Sequence, residues 1–524
     1  MRAEEILSEA LRRNAAADAL ACEVTLSYAQ AADRIHRLSH ALVRLGVAAG
    51  ERVAMLHRNC HRFFEVYFAA LHVGAVLVPL NPRLAPAEMK AILEDARVSL
   101  LVSQPSTFLP LGPTLRRLPN LKAILWTGKV PPFEDPRFHF YEETLAQSPG
   151  SGFLSARLPE SDPAHLYYTS GSTGRPKGVM LTRGNLAAHV ACVLPELELD
   201  ATVAWGHIAP MFHLADAWAV WAVTAAGGAH VFLPEFSAAG ALALLEAGKV
   251  TMTNLVPTML HRMLRETGLE TKIFPRLTRL MSGGAAISPE AVVRILSSFR
   301  CDYVQTYGLT ETSPFLTLSL LQPHMRSWSE PEKLRIRCTT GYPMRGVEVR
   351  VVGEGGDEVP RDGKTVGEIR ARGPTVTPGY WNRPDEDAAA FDSGWLKTGD
   401  LAVVGPEGYL SIVDRKKDLI NTGGEKVYSL EVENALALHP QVAEVAVVGM
   451  PDADLGEAVV AVVVAPAPRR VDERELLAHC AAHLSYFKIP RSVRFVEALP
   501  RTASGKILKR AVRESLLSAP AGKP

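Results

Sequence analysis

The sequence has few cysteines and no group of them arranged for a metal. There are six in 524 residues, with no CxxC pair and no histidine at metal-binding spacing. They are Cys22, Cys60, Cys192, Cys301, Cys338 and Cys480. This scatter argues against a cysteine-based metal site and predicts small, buried, hydrophobic side chains.

The sequence also lacks a charge imbalance, a long apolar run and a signal peptide. With 57 Lys and Arg against 56 Asp and Glu, no overall field favours nucleic acid or an anionic membrane. A polyanionic substrate would therefore need a local site. The longest apolar stretch, residues 214–228, is broken by Asp216 and is too short to span a bilayer. The N-terminus has no apolar core of the signal-peptide kind, so a cytoplasmic protein is expected.

What the sequence does contain is an alternation of helix and strand patterns. A chain of 524 residues should form two or more domains. The alternation runs through residues 25–102 and resumes over residues 179–305, which predicts doubly wound α/β sheets. Residues 104–160 are irregular and richer in proline, and we expect them to be surface connections.

The pattern changes in the last third of the chain. Short alternating strands from residue 341 predict a small β subdomain, and a charged segment at residues 414–418 then precedes a smaller α+β unit. The expected fold class is α/β. A large N-terminal domain covers residues 1–413, a hinge lies at residues 414–418, and a small mobile C-terminal domain covers residues 419–524.

Residues 168–178, with the sequence YTSGSTGRPKG, form a loop rich in glycine and hydroxyl groups. Its glycines let backbone N–H groups turn toward one point, and its serines and threonines add donors, which suits a triphosphate. It is not a Walker A motif, because Pro176 precedes Lys177 and Gly178 follows it. Taken alone, the loop would more simply be a solvated turn.

Two further stretches follow predicted strands. Gly283, Gly284 and Ala285 come after one strand, and residues 306–311, with the sequence TYGLTE, come after the next. Ligands of open α/β sheets bind beyond the carboxyl ends of strands, so both stretches are candidates for one binding site.

Together these motifs resemble the adenylate-forming superfamily of acyl-CoA synthetases, peptide-synthetase adenylation domains and luciferases. The matching motifs are residues 168–178, 307–311 (YGLTE), 367–370 (GEIR), 398–400 (TGD), Asp414-Arg415 with Asp418, 423–425 (GGE) and Gly505-Lys506. Each is weak alone, but their order and separations over nearly the whole length are specific.

The resemblance implies ATP and Mg²⁺ as cofactors and CoA as co-substrate. It implies that the loop holds the β- and γ-phosphates, that Thr310 contacts the α-phosphate and that Glu311 binds Mg²⁺, a role suited to a carboxylate. Asp400 and Arg415 would hold the ribose, and Tyr307 would face the adenine. The residues expected to bind ATP or AMP are Thr169, Ser170, Gly171, Ser172, Thr173, Gly174, Lys177, Gly284, Ala285, Thr306, Tyr307, Gly308, Asp400 and Arg415.

The resemblance also implies two half-reactions in one site. Lys506 would stabilise charge during adenylation, joining Thr310, Glu311 and His213 as catalytic residues. Rotation of the small domain about Lys417 would then withdraw Lys506. The same rotation would bring up Gly423, Gly424 and Glu425 to line a passage for the pantetheine thiol.

The class of carboxylic acid is predicted from residues 210–213 (PMFH), Trp218 and an insert at residues 322–338. These resemble medium- and long-chain fatty acid–CoA ligases and imply an apolar acyl pocket with Trp218 and Gly283. His213 would line the carboxylate end, with a purely structural histidine as the alternative. Trp218 would gate the pocket, although its helical spacing with other apolar residues equally suits a core position.

The expected function is therefore ATP-dependent conversion of a carboxylic acid, expected to be a medium- or long-chain fatty acid, to acyl-AMP and then to acyl-CoA. Transfer to a carrier-protein phosphopantetheine and a non-catalytic nucleotide-binding homologue are the alternatives. Relatives include homodimers, so a homodimer is an expectation by analogy. The sequence departs from the pattern at Asn421, where many relatives have lysine, and at Asp414, where some branches have glycine.

Overall fold

The protein is described by a computed structural model that covers residues 1–108, 111, 118–170, 176–285, 287–467, 471–502 and 506–518. Its contacts divide the chain into two compact units. The first contains residues 1–349 and 371–396, and the second contains residues 350–370 and 397–524.

The first unit contains two large sheets. The seven-stranded sheet has the order Phe138–Phe140, Ala123–Trp126, Val98–Ser103, Arg52–Leu56, Val76–Pro79, Pro163–Ser170 and Pro176–Thr182. The nine-stranded sheet has the order Tyr342–Pro343, Phe315–Leu318, Asp302–Gly308, Arg279–Gly283, Met252–Leu255, Ala204–His207, Ala229–Phe232, Asp18–Ala21 and Thr25–Ser27. Their central strands are parallel neighbours, as helical crossovers between strands require.

Helices connect these strands. The α-helices are Ile6–Asn14, Tyr28–Arg44, His61–Val73, Pro86–Asp95, Pro105–Phe108, Tyr141–Ala146, Arg183–Glu196, Leu214–Ala226, Ala238–Glu246, Pro257–Met263, Pro289–Phe299, Glu330–Arg337 and Pro384–Ala390. Within the described residues, no helix has both the length and the apolar character needed to cross a membrane.

Local sequence explains where important helices begin. Helix Arg183–Glu196 starts after Thr182, whose hydroxyl accepts a hydrogen bond from the Asn185 N–H. The Asn185 side-chain oxygen accepts from the Thr182 N–H in return, which closes a capping box. The Asn185 amide also donates to the carbonyls of Pro374 and Val376 at 2.7 and 3.0 Å. One short polar side chain therefore fixes the helix that directly follows the strand Pro176–Thr182.

The residues that follow the nine-stranded sheet in the chain form a five-stranded sheet. Its strands are Glu348–Val352, Gly367–Arg372, Trp395–Val404 and Phe391–Asp392, with Leu410–Arg415 paired to Trp395–Val404. A further five-stranded sheet in the second unit has the order Glu425–Val427, Ile420–Thr422, Gly456–Val464 and Glu444–Asp452, with Ser492–Phe495 beside Gly456–Val464. The helices of the second unit are Ser429–Ala437, Glu473–His483 and Lys509–Ser518.

The expected α/β class, with a large N-terminal sheet domain and a smaller C-terminal domain, is confirmed. The expectation for residues 104–160 is wrong in part. Strand Ala123–Trp126 is buried and pairs in parallel with Val98–Ser103, and helix Tyr141–Ala146 packs Tyr141 into the core. A four-residue apolar strand between proline-rich segments is too short to show a periodicity.

Candidate active site

The predicted phosphate loop joins two antiparallel strands at the edge of the seven-stranded sheet. Thr169 lies opposite Lys177, and Ser170 lies opposite Pro176. The Thr169 hydroxyl is buried and has no hydrogen-bond partner in the described part of the chain, so it remains available to a ligand. The predicted phosphate ligands Gly171, Ser172, Thr173 and Gly174 lie outside the described residues.

A polar contact fixes the base of this hairpin. The Tyr168 hydroxyl donates to Oδ2 of Asp95 at 2.6 Å, and Arg383 pairs with Oδ1 of the same carboxylate at 2.6 Å. The Asp95 carboxylate thereby joins the hairpin to the segment that follows strand Gly367–Arg372.

Lys177 meets two residues that the sequence did not single out. Its Nζ lies 3.4 Å from Oε2 of Glu386 and 3.7 Å from the centroid of the Tyr380 ring. The Tyr380 hydroxyl donates to Oε1 of Glu311 at 2.9 Å. The structure thus brings together the predicted phosphate ligand Lys177 and the predicted metal ligand Glu311, with Tyr380 between them.

The backbone around Glu311 is held from both sides. Glu311 lies in a short 3-10 helix, Thr310–Thr312, and its carbonyl accepts from the Thr377 N–H at 2.8 Å. The Thr312 hydroxyl accepts from the Leu309 N–H at 2.9 Å. Burial and the nearby Glu311 carboxylate raise the pKa of Tyr380, so the phenol stays protonated and remains a donor.

The carboxyl ends of two neighbouring parallel strands carry the predicted adenine site. Gly283 lies beside Thr306, and a Cβ on Gly283 would come within 2.2 Å of the Thr306 hydroxyl oxygen. A Cβ on Gly308 would come within 1.8 Å of the Pro314 carbonyl oxygen. A side chain at either position would clash with the neighbouring strand or loop, so both positions require glycine independently of any ligand.

Other predicted residues lie at the same edge of the sheet. Gly284 has a φ of 85°, and the Ala285 carbonyl accepts from the Gln305 amide at 3.1 Å. Tyr307 is half-buried. The Thr306 hydroxyl donates to the Ser282 carbonyl at 3.1 Å, so this side chain links two neighbouring strands of the sheet. The adenine-binding role of these residues stays a prediction.

The loop that carries the predicted acid-binding residues is clamped by a buried asparagine. The Asn59 amide donates to the carbonyls of His207 and Ala209 at 3.0 and 2.8 Å, and its oxygen accepts from the Met211 N–H at 2.9 Å. The Tyr67 hydroxyl donates to the Met211 carbonyl at 3.1 Å. Four hydrogen bonds therefore hold loop 207–211, which leads to His213.

His213 is the N-cap residue of helix Leu214–Ala226, and its ring lies 4.5 Å from that of Phe212. One turn further, the buried Asp216 accepts from Trp205 at 3.3 Å and lies 2.6 Å from Nδ1 of His207. This hydrogen-bonded network fixes the first turn of the helix and hence the position of His213.

Trp218 occupies the position of the predicted acyl gate. It is 1% exposed, its indole N–H donates to the Ala215 carbonyl, and its ring packs against Trp205, His189 and Phe315. This packing favours the core alternative, and the gate role stays a prediction.

The insert at residues 322–338 lies elsewhere in the first unit. It forms a 3-10 turn and helix Glu330–Arg337, and it borders a cavity of about 900 Å³ with Arg279, Asp302 and the end of helix Arg183–Glu196. Arg279 and Asp302 begin their strands, whereas Gly283 and Gly308 end them. The insert therefore lies near the amino ends of these strands, whereas the predicted nucleotide site lies at their carboxyl ends. Its resemblance to fatty acid ligases does not reflect a direct contact with the predicted nucleotide site.

In the second unit, the two predicted ribose ligands face each other. Asp400 and Arg415 are directly opposed on antiparallel strands, and Nε of Arg415 lies 3.3 Å from Oδ1 of Asp400. The Asp400 side chain is 7% exposed and the Arg415 side chain 45%. The pair thus presents a buried carboxylate beside a more exposed guanidinium.

The proposed hinge lies in a turn. Strand Leu410–Arg415 ends at Arg415, and residues 416–418 form the turn that leads into strand Ile420–Thr422. Lys417 is exposed, whereas the Lys416 N–H donates to the Gly399 carbonyl at 2.9 Å. Just before the turn, burial raises the pKa of Asp414, which accepts from the Ser429 hydroxyl at 2.8 Å.

The predicted thiol passage is a two-residue hairpin. Gly423 and Gly424 have φ values of 58° and 86° and join strands Ile420–Thr422 and Glu425–Val427. This is the turn geometry that a Gly-Gly pair favours. Glu425 and Lys506 are both exposed, and the Lys506 N–H donates to the Thr502 hydroxyl at 3.1 Å.

Comparison with known proteins gives consistent matches. The AMP-binding enzyme profile matches residues 7–381, and the AMP-binding enzyme C-terminal domain profile matches residues 431–506. A long-chain-fatty-acid–CoA ligase from Thermus thermophilus is 37% identical over 500 residues, covering 93% of this chain and 90% of that protein. A feruloyl-CoA synthase from an Amycolatopsis species is 37% identical over 489 residues, covering 93% of each chain. The solved structure of ATP-bound MatB from Rhodopseudomonas palustris matches with a TM-score of 0.85 at 29% identity, covering 99% of each chain.

Proposed function

This chain belongs to the AMP-binding enzyme family and is an AMP-forming acid–thiol ligase that uses ATP and CoA, and we propose that its acid is a medium- or long-chain fatty acid. The observation that carries the proposal is the apolar character of the predicted acid site. Met211 and Phe212 are buried, and helix Leu214–Ala226 is apolar except for Thr224 and for Asp216, whose carboxylate lies 2.6 Å from Nδ1 of His207. Among these described residues, no further ionisable side chain is offered to a second polar group on the acid.

In the first half-reaction, a carboxylate oxygen of the acid bonds to the α-phosphorus of ATP. The bond from that phosphorus to the bridging oxygen breaks, and pyrophosphate leaves. Two anions must meet, so catalysis depends on alignment and charge neutralisation. In our proposal Lys177 and the buried Thr169 hydroxyl bind the leaving pyrophosphate, while Thr310 contacts the α-phosphate.

Glu311 is the residue that would hold Mg²⁺, which when bound neutralises charge on the ATP phosphates. A carboxylate oxygen is a suitable ligand for Mg²⁺, and the hydrogen bonding around Glu311 is compatible with this role. Among the described residues its carboxylate receives one side-chain hydrogen bond, from Tyr380 to Oε1. The other oxygen can therefore serve as a ligand without breaking a contact with the protein.

In the second half-reaction, the thiol of CoA loses its proton and its sulfur bonds to the acyl carbon. The acyl carbon–oxygen bond of acyl-AMP breaks and AMP leaves. We assign Lys506 to the first half-reaction alone, since a cation at the α-phosphate is needed while negative charge accumulates there. Rotation at Lys417 would exchange it for the Gly423-Gly424 hairpin, which has no side chain to obstruct pantetheine.

A second candidate substrate is an aromatic acid. The feruloyl-CoA synthase is as similar to this chain as the fatty acid ligase, at 37% identity. A flat apolar ring is compatible with the same lining of Met211 and Phe212.

The test is AMP and thioester release from a graded series of aliphatic acids and a set of aromatic acids, with CoA present or withheld. The fatty acid proposal expects the largest kcat/KM with medium or long chains and thioester only with CoA. Highest turnover with ferulate-like acids would replace it with the aromatic candidate. Acyl-AMP that is not transferred to CoA would point to a carrier protein, and absence of ATP–pyrophosphate exchange with every acid would favour a non-catalytic homologue.

A further inference from the structure

We propose that Tyr380 is a positioning residue that sets the orientation of the Glu311 carboxylate for metal binding while its ring seats Lys177. The inference rests on the proposed role of Glu311 as a metal ligand. It adds a residue from outside the predicted motifs, 69 positions along the chain from Glu311.

Tyr380 uses two different chemical surfaces at once. Its hydroxyl donates to Oε1 of Glu311 at 2.9 Å, and its ring face lies 3.7 Å from Nζ of Lys177. A ring face attracts a cation, and a phenol donates a strong hydrogen bond to a carboxylate. One side chain thus contacts both the residue that would hold the metal and a residue that would bind the phosphates.

Tyr380 itself is fixed by its backbone. Its N–H donates to Oδ1 of Asp387 at 2.7 Å, and it forms an isolated antiparallel bridge with Val179, two residues beyond Lys177. The next N–H, of Trp381, donates to the Gly178 carbonyl at 2.8 Å. Tyr380 is 4% exposed, so its side chain is largely shielded from solvent.

This geometry resembles the support that metal ligands usually have. A ligating carboxylate is itself hydrogen-bonded, and removal of such a partner typically lowers metal affinity about 10- to 100-fold. With Oε1 occupied by Tyr380, rotation of the Glu311 carboxylate is restricted and Oε2 is left to bind the metal. Tyr380→Phe removes this hydrogen bond but retains the ring beneath Lys177.

The test measures metal binding without turnover. Mn²⁺ is titrated into the enzyme–ATP complex without a carboxylic acid, and free Mn²⁺ is read by electron paramagnetic resonance. Tyr380→Phe should raise the Mn²⁺ Kd about tenfold, while ATP affinity in EDTA stays at the wild-type value. The matched control is Tyr141→Phe, which removes another tyrosine–glutamate hydrogen bond, the 2.6 Å contact with Glu65. It should leave the Mn²⁺ Kd unchanged.

Glu311→Gln and the double variant separate the alternatives. If Tyr380 acts through Glu311, Tyr380→Phe should weaken Mn²⁺ binding no further in the Glu311→Gln background, whereas general damage to the fold would add to the loss. The inference alone fails if Glu311→Gln weakens Mn²⁺ binding and Tyr380→Phe does not. If Glu311→Gln also binds Mn²⁺ like the wild type, the metal role of Glu311 fails and the inference fails with it.

Discussion

Asp400 and Arg415 face each other across two antiparallel strands, with Oδ1 of Asp400 3.3 Å from Nε of Arg415. A carboxylate held in this way can accept both hydroxyls of a ribose, and charged hydrogen bonds contribute about 1.5–3 kcal/mol. We expect Asp400→Asn to weaken ATP binding by about 10- to 100-fold. The loss should be much smaller for 3′-deoxy-ATP, which calorimetric titration of both nucleotides would measure.

The matched control is Asp362→Asn, since Asp362 is an exposed aspartate of the same unit whose carboxylate accepts hydrogen bonds within a local turn, from Lys364 and Thr365. It should bind both nucleotides like the wild type. Equal loss of ATP and 3′-deoxy-ATP in Asp400→Asn would contradict ribose recognition.

Lys506→Ala should separate the two half-reactions. Removal of the cation should abolish acyl-adenylate formation yet spare thioester formation from supplied acyl-adenylate, because the second step develops less charge at the phosphate. Single-turnover assays of each half-reaction measure this. Lys364→Ala, an exposed lysine of the same unit, is the control for loss of one positive charge. Equal loss of both half-reactions would refute the assignment.

Lys417→Pro should block thioester formation and leave adenylation intact. Proline fixes φ and so prevents the rotation that a hinge requires. Within the described part of the chain, the turn's hydrogen bonds come from the N–H groups of Lys416, Asp418 and Leu419 and not from Lys417. Lys417→Pro therefore removes no backbone hydrogen bond found among the described residues. Lys417→Ala keeps the backbone free and should support both steps, and normal thioester formation by Lys417→Pro would rule out the hinge.

Buried histidines should make the fold sensitive to acid. Burial lowers the pKa of His165 and of His189 to about 3, from 6.5 in an exposed histidine. Because their folded-state pKa is lowered, the unfolded chain binds protons below pH 6.5 that the folded chain does not bind. The free energy of unfolding is therefore highest above pH 6.5 and decreases as the pH falls toward 3. Each should cost about 2 kcal/mol of unfolding free energy between pH 7 and 5.

Denaturant unfolding of His189→Leu at the two pH values checks this. The pH-dependent loss should shrink by about 2 kcal/mol relative to the wild type. His324→Leu, at an exposed histidine, should show the wild-type loss. An unchanged loss in His189→Leu would mean that this imidazole titrates normally in the folded protein.

Motifs that are contiguous in sequence were the predictable part of the site. Asp400 and Arg415 could be paired by resemblance, and Gly283, Tyr307 and Gly308 could be placed at strand ends because parallel strands present their carboxyl ends at one edge. The Gly423-Gly424 turn follows from the left-handed conformation that glycine allows.

Contacts between distant segments were not predictable. Tyr380 reaches Glu311 across 69 positions, and Cys22 lies 3.2 Å from Nδ1 of His61 across 39, although no local spacing suggested a histidine near a cysteine. Trp218 illustrates a different difficulty. Its spacing suits both a gate and a core residue, and the rings packed around it favour the core position without testing the gate.

In our proposal, a fatty acid carboxylate attacks the α-phosphorus of ATP, and the acyl group is then transferred to CoA. The most direct measurement uses dodecanoate labelled with ¹⁸O in both carboxylate oxygens, with MgATP and CoA, and mass analysis of every product. We expect dodecanoyl-CoA, AMP carrying one ¹⁸O on its phosphate, and unlabelled pyrophosphate. Label in inorganic phosphate with ADP as the product, or dodecanoate left unreacted while labelled ferulate yields labelled AMP, would contradict this account.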